Sequence, residues 1–437
     1  MGNVPSSVNG QGRVLTASIL LAAALLPGTP AAAALRQIAP GGGALIEAVK
    51  SAGAGDVLRL GPGTYAGPVV IDRPMTIEGA GKAVVQGNGK GSVITVRASR
   101  VTIRGLTIRG SGSSNQTLDS AVKLPRGWRN ARIENNVMLG NLVGVDVHGA
   151  INARVAGNII VGRRDKRMND RGNGIYVWNA PGLIVEDNDI RYGRDGIFVN
   201  TSNRDIFRNN RFRDLRFAVH YMYTHNSVVS GNISTRNHLG YAVMFSNNVK
   251  VTDNISLDDR DYGIMLNYTN NSVISGNLLK GVRDRGIFVY DAQKNRITGN
   301  RIEGCGIGIH FTAGSERNIV SGNAFVGNRI QVKYVGTKWI DWSYRGRGNY
   351  WSNFSAYDLN GDGIAEGIFR PNDAVDRVLW TQPAARLLLG SPAVQLVRWS
   401  QSAFPALLPG GVVDRHPLMN PVKMDIPDWE ARHGSGS

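Results

Sequence analysis

The chain has 437 residues, 50 Lys plus Arg against 33 Asp plus Glu, and a formal net charge of +17. Apolar residues at 42% exclude wholesale disorder, and 19% charged residues with 55 glycines argue against a helical bundle and for a turn-rich, sheet-rich fold. So basic a chain suits acidic partners, whether acidic protein faces, nucleic acid or acidic polysaccharide.

Residues 1–34 carry one charge, Arg13, then the apolar run Val14 to Leu26, Pro27, and four alanines ending at Ala34. A basic residue, a 13-residue apolar stretch and small residues before a cut site describe a secretory signal peptide. The run falls short of the roughly 20 residues a membrane span needs. The expected location is therefore the periplasm, with no spanning segment of the chain's own. Cys305 stands alone, so no internal disulfide is expected.

Ala44 to Ser51 reads as a short helix that caps the first layer of strands and hides its open edge. Val69 to Ile77, Val93 to Val96 and Val101 to Ile108 read as the first strands. A repeat then takes over. An Asn, typically after Gly and before an apolar residue, recurs at 136, 158, 188, 210, 232, 254, 277, 300 and 323, in steps of 22, 30, 22, 22, 22, 23, 23 and 23. A second motif keeps step with it, beginning at Gly174, Gly196, Ala218, Ala242, Gly263, Gly286 and Gly308. Two or three four-residue strands fit such a period, and a helix with its loops does not. The expected fold is all-β, a right-handed parallel β-helix over residues 35–335 with one coil per repeat. The Asn residues are expected to form a ladder at a turn, in left-handed geometry. Two coils read as enlarged. One holds a basic loop from Gly162 to Asn173. The other is the 24-residue step from Ala218 to Ala242, with its surplus near Asn237, His238 and Leu239.

In the strand motif the flanking apolar residues point inward and the residue between them points outward. The outward column so read is Asp146, Tyr176, Phe198, His220, Met244, Met265, Phe288 and His310. Two residues on, it is His148, Trp178, Asn200, Met222, Ser246, Asn267, Tyr290 and Thr312. His220, Met222, Met244 and Met265 therefore share one outer face over adjacent coils, with His225 and His238 in neighbouring turns. Thioether and imidazole are the ligands that suit monovalent copper, so these four are the candidate Cu(I) ligands. The competing reading is a packed Met and aromatic patch.

Residues 336–437 break the repeat and hold six of the eight tryptophans. Asp358, Asn360 and Asp362 open a stretch that resembles the start of an EF-hand loop and are the candidate calcium ligands. Phe369, however, stands where the loop needs a Glu, with Glu366 as the nearest substitute. Ala374 to Trp399 reads as helical. The segment from about Ala374 to Leu418 is expected to dock on a membrane partner through Trp380, Leu387, Leu388 and Trp399.

A β-helix with a basic groove also suits a polysaccharide lyase or uronate epimerase. That chemistry needs paired carboxylates or a Tyr–His–Asp group, and the central columns offer Phe, Met and His instead. Nucleic-acid binding is weaker still, because Arg is scattered through turns.

Several stretches resemble the NosD family of periplasmic maturation proteins of nitrous oxide reductase. They are Gly174 to Pro181, Gly193 to Thr201, Arg216 to His225, Gly348-Asn-Tyr-Trp-Ser-Asn353 and Pro409 to Pro417. The resemblance implies a β-helix of the carbohydrate-binding and sugar-hydrolase type that is not an enzyme. It implies an ABC transporter made of the ATPase NosF and the membrane protein NosY as partner. It further implies the copper chaperone NosL as donor of copper and nitrous oxide reductase as acceptor.

Overall fold

The computed structural model describes residues 33–372, 375, 378, 382–388, 391–403 and 410–424. The chain winds into a right-handed parallel β-helix of about 14 turns. Each full coil gives three short strands to three stacks. One stack starts with Leu35–Ile38 and Val57–Leu60 and ends at Ile319–Ser321. A second runs from Gly63–Ala66 to Tyr350–Trp351, and the long strands Thr76–Gln86 and Thr102–Arg109 take part in both. The third stack has twelve strands, from Val69–Ile71 to Ile330–Val335, and carries the outward columns considered above.

Inward positions stack like on like. On the third stack Val145, Ile175, Ile197, Val219, Tyr241, Ile264, Ile287, Ile309 and Val332 lie in register, and all are buried. This column corrects the repeat phase read from the sequence. Gly240, not Ala242, is the equivalent of Gly174 and Gly196. A Cβ on Gly240 would stand 2.4 Å from the carbonyl oxygen of Gly263, and one on Gly174 would stand 2.7 Å from that of Gly196. The step from Ala218 to Gly240 is the ordinary 22 residues, so no surplus exists at Asn237–Leu239. The misreading has a physical cause. Tyr241 occupies an aliphatic slot, and its hydroxyl reaches the carbonyl oxygens of Asn232 at 2.8 Å and Ile255 at 2.9 Å. A buried Tyr so satisfied packs like an Ile, but it hides the motif.

The Asn ladder forms, and it is interior. Asn188, Asn210, Asn232, Asn254 and Asn277 are buried, and each takes the next Asn side-chain oxygen with both its backbone N–H and its Nδ2, at 2.8–3.1 Å. Each such bond contributes about 1 kcal/mol net, and leaving one unmade costs more. The left-handed backbone lies one residue earlier than expected, at Asp187, Asn209, Gly231, Asp253 and Gly276. The ladder Asn is selected for its amide, and its predecessor for the turn.

Both ends are covered. The helix Ala44–Ser51 buries Leu45, Ala48 and Val49 over the first coil. At the other end Trp339–Asp341 pairs in parallel with Gly411–Val413, and Trp342, Trp351, Val412 and Leu418 are buried. Residues 410–418 thus complete the last coil and are not free to dock elsewhere. Among the described residues, no helix is long and apolar enough to cross a membrane.

Candidate functional site

The corrected phase rearranges the outer face of the third stack. His220 lies beside Ala242, and Ala242 beside Met265. Met222 lies beside Met244, and Met244 beside Asn267. Met244 is therefore not in the His220 column, as the sequence suggested, but one column over. The four residues stay on one face in adjacent coils: His220 and Met265 are the partners in register of the buried Ala242 on either side, and the Met222–Met244 pair lies two residues further along the same strands. Neighbouring rungs are about 4.8 Å apart.

His220 is the most firmly held member. Its ring stacks on Phe217 with centroids 4.5 Å apart and meets the edge of Phe198 at 5.1 Å. Its Nδ1 faces Asp195 Oδ2 at 3.4 Å. Asp195 is fully buried, and Arg216 binds it with two hydrogen bonds of 2.7 and 2.8 Å. Burial pushes the Asp195 carboxyl up, but the bonds from His220 and Arg216 and the charges of Arg216 and Arg194 outweigh it and hold it below the usual carboxylate range. A carboxylate on one ring nitrogen fixes the tautomer and leaves the lone pair of Nε2 to bind a metal, an arrangement common behind metal-binding His. Asp195 escaped the sequence reading because it lies on the preceding coil, 25 residues before His220.

An aromatic ladder flanks the Met pair. Tyr223 stacks on Phe245 at 5.1 Å, Phe245 on Tyr268 at 5.2 Å, and Tyr268 meets Tyr290 at 5.9 Å. Tyr223, Phe245 and Tyr268 have φ of +51°, +50° and +48°. The same turn position holds Asn179 and Asp291 in other coils, which suit left-handed backbone better. Bulky residues there cost of order 1–3 kcal/mol each, and such strain collects at functional sites.

The neighbouring histidines are engaged elsewhere. His225 Nδ1 accepts the backbone N–H of Asn247 at 3.1 Å. His238 contacts Asp261 and Arg260, and burial followed by the Arg260 charge lowers its pKa. His310, two coils beyond Met265 in its column, is pushed down to about 3 by burial and by the charges of Arg285 and Lys333, so it stays neutral. Cys305 is buried, and burial pushes its thiol up to about 12; it is packing, not a thiolate ligand.

A family model described as "Periplasmic copper-binding protein (NosD)" matches residues 156–356. That stretch contains His220, Met222, Met244 and Met265. The "Probable ABC transporter binding protein NosD" of Stutzerimonas stutzeri is 41% identical over 375 residues, 83% of this chain and 86% of that protein. Its namesake in Pseudomonas aeruginosa is 42% identical over 373 residues, 82% and 87% of the two chains. The chain belongs to the NosD family. Among solved structures, an alginate lyase of family PL6 in complex with a trisaccharide superposes with a TM-score of 0.51 at 15% identity, over 69% of this chain and 84% of that one. That likeness concerns the fold alone.

Two further candidates in this NosD-family chain take the places the structure gives them. In the Asp358–Gly363 loop, Asp358 accepts the backbone N–H groups of Gly361 and Gly363, Asn360 that of Asp362, and Asp362 that of Ile364, all at 2.7–2.9 Å. Phe369 turns inward and packs on Trp351. The loop closes on itself as an Asp/Gly turn. Leu387 and Leu388 lie in a 3-10 turn, Pro383–Leu388, and Trp399 on the helix Pro392–Ala403; all three are exposed. Trp380 lies outside the described residues.

Proposed function

We propose that this protein is a non-enzymatic periplasmic accessory of an ABC transporter, which takes up Cu(I) as cargo on His220, Met222, Met244 and Met265 and passes it on for assembly of the copper sites of nitrous oxide reductase. The observation that supports the reading is the register of adjacent coils, which sets three thioethers and one carboxylate-oriented imidazole on one face around Ala242. These are soft ligands, and transfer needs modest affinity with access for donor and acceptor. The strained aromatic ladder beside them walls one flank of the route. In this reading the transporter subunits are NosF and NosY, the copper donor is NosL, and the exposed Leu387, Leu388 and Trp399 form the docking face, with Trp380 in the same segment. The Asp358 loop, whose Asp and Asn side chains cap its own backbone, is assigned no role in this reading.

The test is anaerobic Cu(I) titration of the parent and of a Met244→Leu/Met265→Leu variant, which keeps volume and apolarity. Weaker Cu(I) binding, with a copper-poor reductase in cells, is the expected result. A folded variant that binds Cu(I) as tightly as the parent and yields fully metallated reductase overturns the site.

A further inference from the structure

A second outer site lies several coils nearer the N-terminus, well apart from the Met cluster, and its argument does not depend on copper. An open cleft of about 870 Å³ crosses the third stack there, lined by Lys90, Arg97, Lys123 and His148 and by hydroxyl and amide side chains from Ser113 to Thr117. Lys90 and Arg97 are exposed, and no carboxylate among the described residues lies within ion-pair distance of either. The acid in the lining, Asp119, is already taken by the Ser114 N–H at 3.0 Å and the Thr117 hydroxyl at 2.6 Å. The cleft therefore presents unneutralised positive charge among polar groups.

Its inner wall is built rather than incidental. Lys123 is held by the Thr117 carbonyl at 2.6 Å and by an ion pair of 3.0 Å to Asp146 Oδ2. Asp146 is completely buried, and neither of its oxygens receives a well-directed hydrogen bond. It also faces His148 Nδ1 at 4.0 Å. A buried carboxylate with so little compensation is costly, and it is kept where it fixes a lysine and a histidine at the cleft's edge. His148 in turn stacks on Trp178 of the next coil, with centroids 4.6 Å apart, and Trp178 is half-buried, so a flat aromatic step borders the positive cleft.

We infer that this cleft binds an acidic oligosaccharide, a chain of carboxylated sugar rings. Lys90 and Arg97 would meet the carboxylates, the Ser, Thr and Gln side chains the ring hydroxyls, and Trp178 with His148 one sugar face. Asp146 is a positioning residue, since no ligand reaches it. The proposal concerns binding; the phenol beside the cleft, Tyr176, has its pKa raised by burial and by the Asp146 charge, which does not favour its use as a proton-abstracting base.

The experiment is calorimetric titration of the full chain with trigalacturonate and, separately, with the neutral cellotriose. Expected results are saturable binding of trigalacturonate that weakens with salt, at least tenfold weaker binding of cellotriose, and a loss of about tenfold or more in both Lys90→Ala/Arg97→Ala and Trp178→Ala variants whose circular dichroism matches the parent. The Lys90→Ala/Arg97→Ala pair alters exposed side chains and keeps the test valid if Trp178→Ala misfolds. No saturable binding of trigalacturonate, equal binding of cellotriose, or parent-like affinity in the Lys90→Ala/Arg97→Ala variant overturns the proposal.

Discussion

Asp414 Oδ2 accepts the backbone N–H of Asn349 at 2.7 Å, closing a contact across 65 residues. Asn349 is the last rung of the Asn ladder, its Oδ1 accepting both the backbone N–H of Asn323 at 3.1 Å and its Nδ2 at 2.9 Å. The same Asp414 oxygen receives the Trp351 indole N–H at 2.8 Å. A Cβ on Gly348 would stand 1.7 Å from Asp414 Oδ1. The Gly348-Asn-Tyr-Trp stretch and the Asp414 of the tail are thus one device that ends the solenoid: glycine for room, Asn for the ladder, Trp for the remaining bond.

Asp414→Ala would leave the Asn349 amide and the Trp351 indole buried and unpaired. Each unmet donor costs about 1–3 kcal/mol, so a loss of a few kcal/mol is expected at this end, with the opposite end unaffected. Hydrogen exchange at Asn349 and Trp351 should rise while exchange at Ile133 and Val155 stays slow. Unchanged protection at Asn349 would show that the tail does not terminate the ladder.

Asp259 makes the interior pH-sensitive. It is buried, and burial pushes its pKa up to about 7 against the opposing bonds from Ser234, Ser256 and the Asn237 N–H. An acid whose folded pKa is raised stabilises the fold fully only below its unfolded value, near 3.8, and that contribution is lost as pH rises to about 7. Asp205, also pushed up to about 7 by burial, acts in the same direction. Asp259→Asn keeps the Asn237 contact and gives the Ser234 and Ser256 hydroxyls a neutral partner. Urea denaturation from pH 4 to 8 should show the parent losing stability as pH rises, and the variant losing less, by roughly one proton's worth of slope. Identical slopes would mean that Asp259 is ionised throughout.

What the sequence reveals depends on range. The 22–23-residue period, the strand alternation and the capping helix are local patterns, and they suffice for the fold. The register of one coil is hidden in the sequence because Tyr241 fills an aliphatic slot, and this places Met244 one column over from its apparent position. Asp195 and Asp414 were invisible as partners because their contacts span 25 and 65 residues. The cleft group of Asp146, His148 and Trp178 stood in the outward columns all along. Its meaning depends on the Lys123 and Arg97 side chains from earlier coils, whose spacing falls before the regular repeat begins.

The Asp195–His220 pair gives a test of the copper reading that spares the thioethers. Asp195→Asn retains one acceptor for Arg216 but removes the charge behind the imidazole. Outer-shell changes of this kind typically cost about 10–100-fold in metal affinity. Cu(I) affinity should fall in that range with Met222, Met244 and Met265 intact, and the drop should shrink in a His220→Ala background, because the two substitutions act through one ligand. Full additivity of the two losses would separate Asp195 from the metal.

The tail's docking role must be tested by substitution, since deletion from about Ala374 would also remove Asp414 and Val412 and so open the last coil. Leu387 is 91% exposed, Leu388 59%, Leu396 63% and Trp399 64%. Four large apolar side chains so exposed, within 13 residues (387–399) of a chain that is otherwise rich in charge at its surface, cost solubility unless a partner covers them. Replacing Leu387 and Leu388 by Ser and Trp399 by Gln removes three of these four side chains. Substitutions at exposed positions usually change stability by within about 0.5 kcal/mol, so the thermal midpoint should hardly move. Co-purification with the membrane subunits of the transporter should be lost, while Cu(I) binding by the isolated protein is retained. A variant that keeps its fold and still co-purifies in full would place the interface on the β-helix itself.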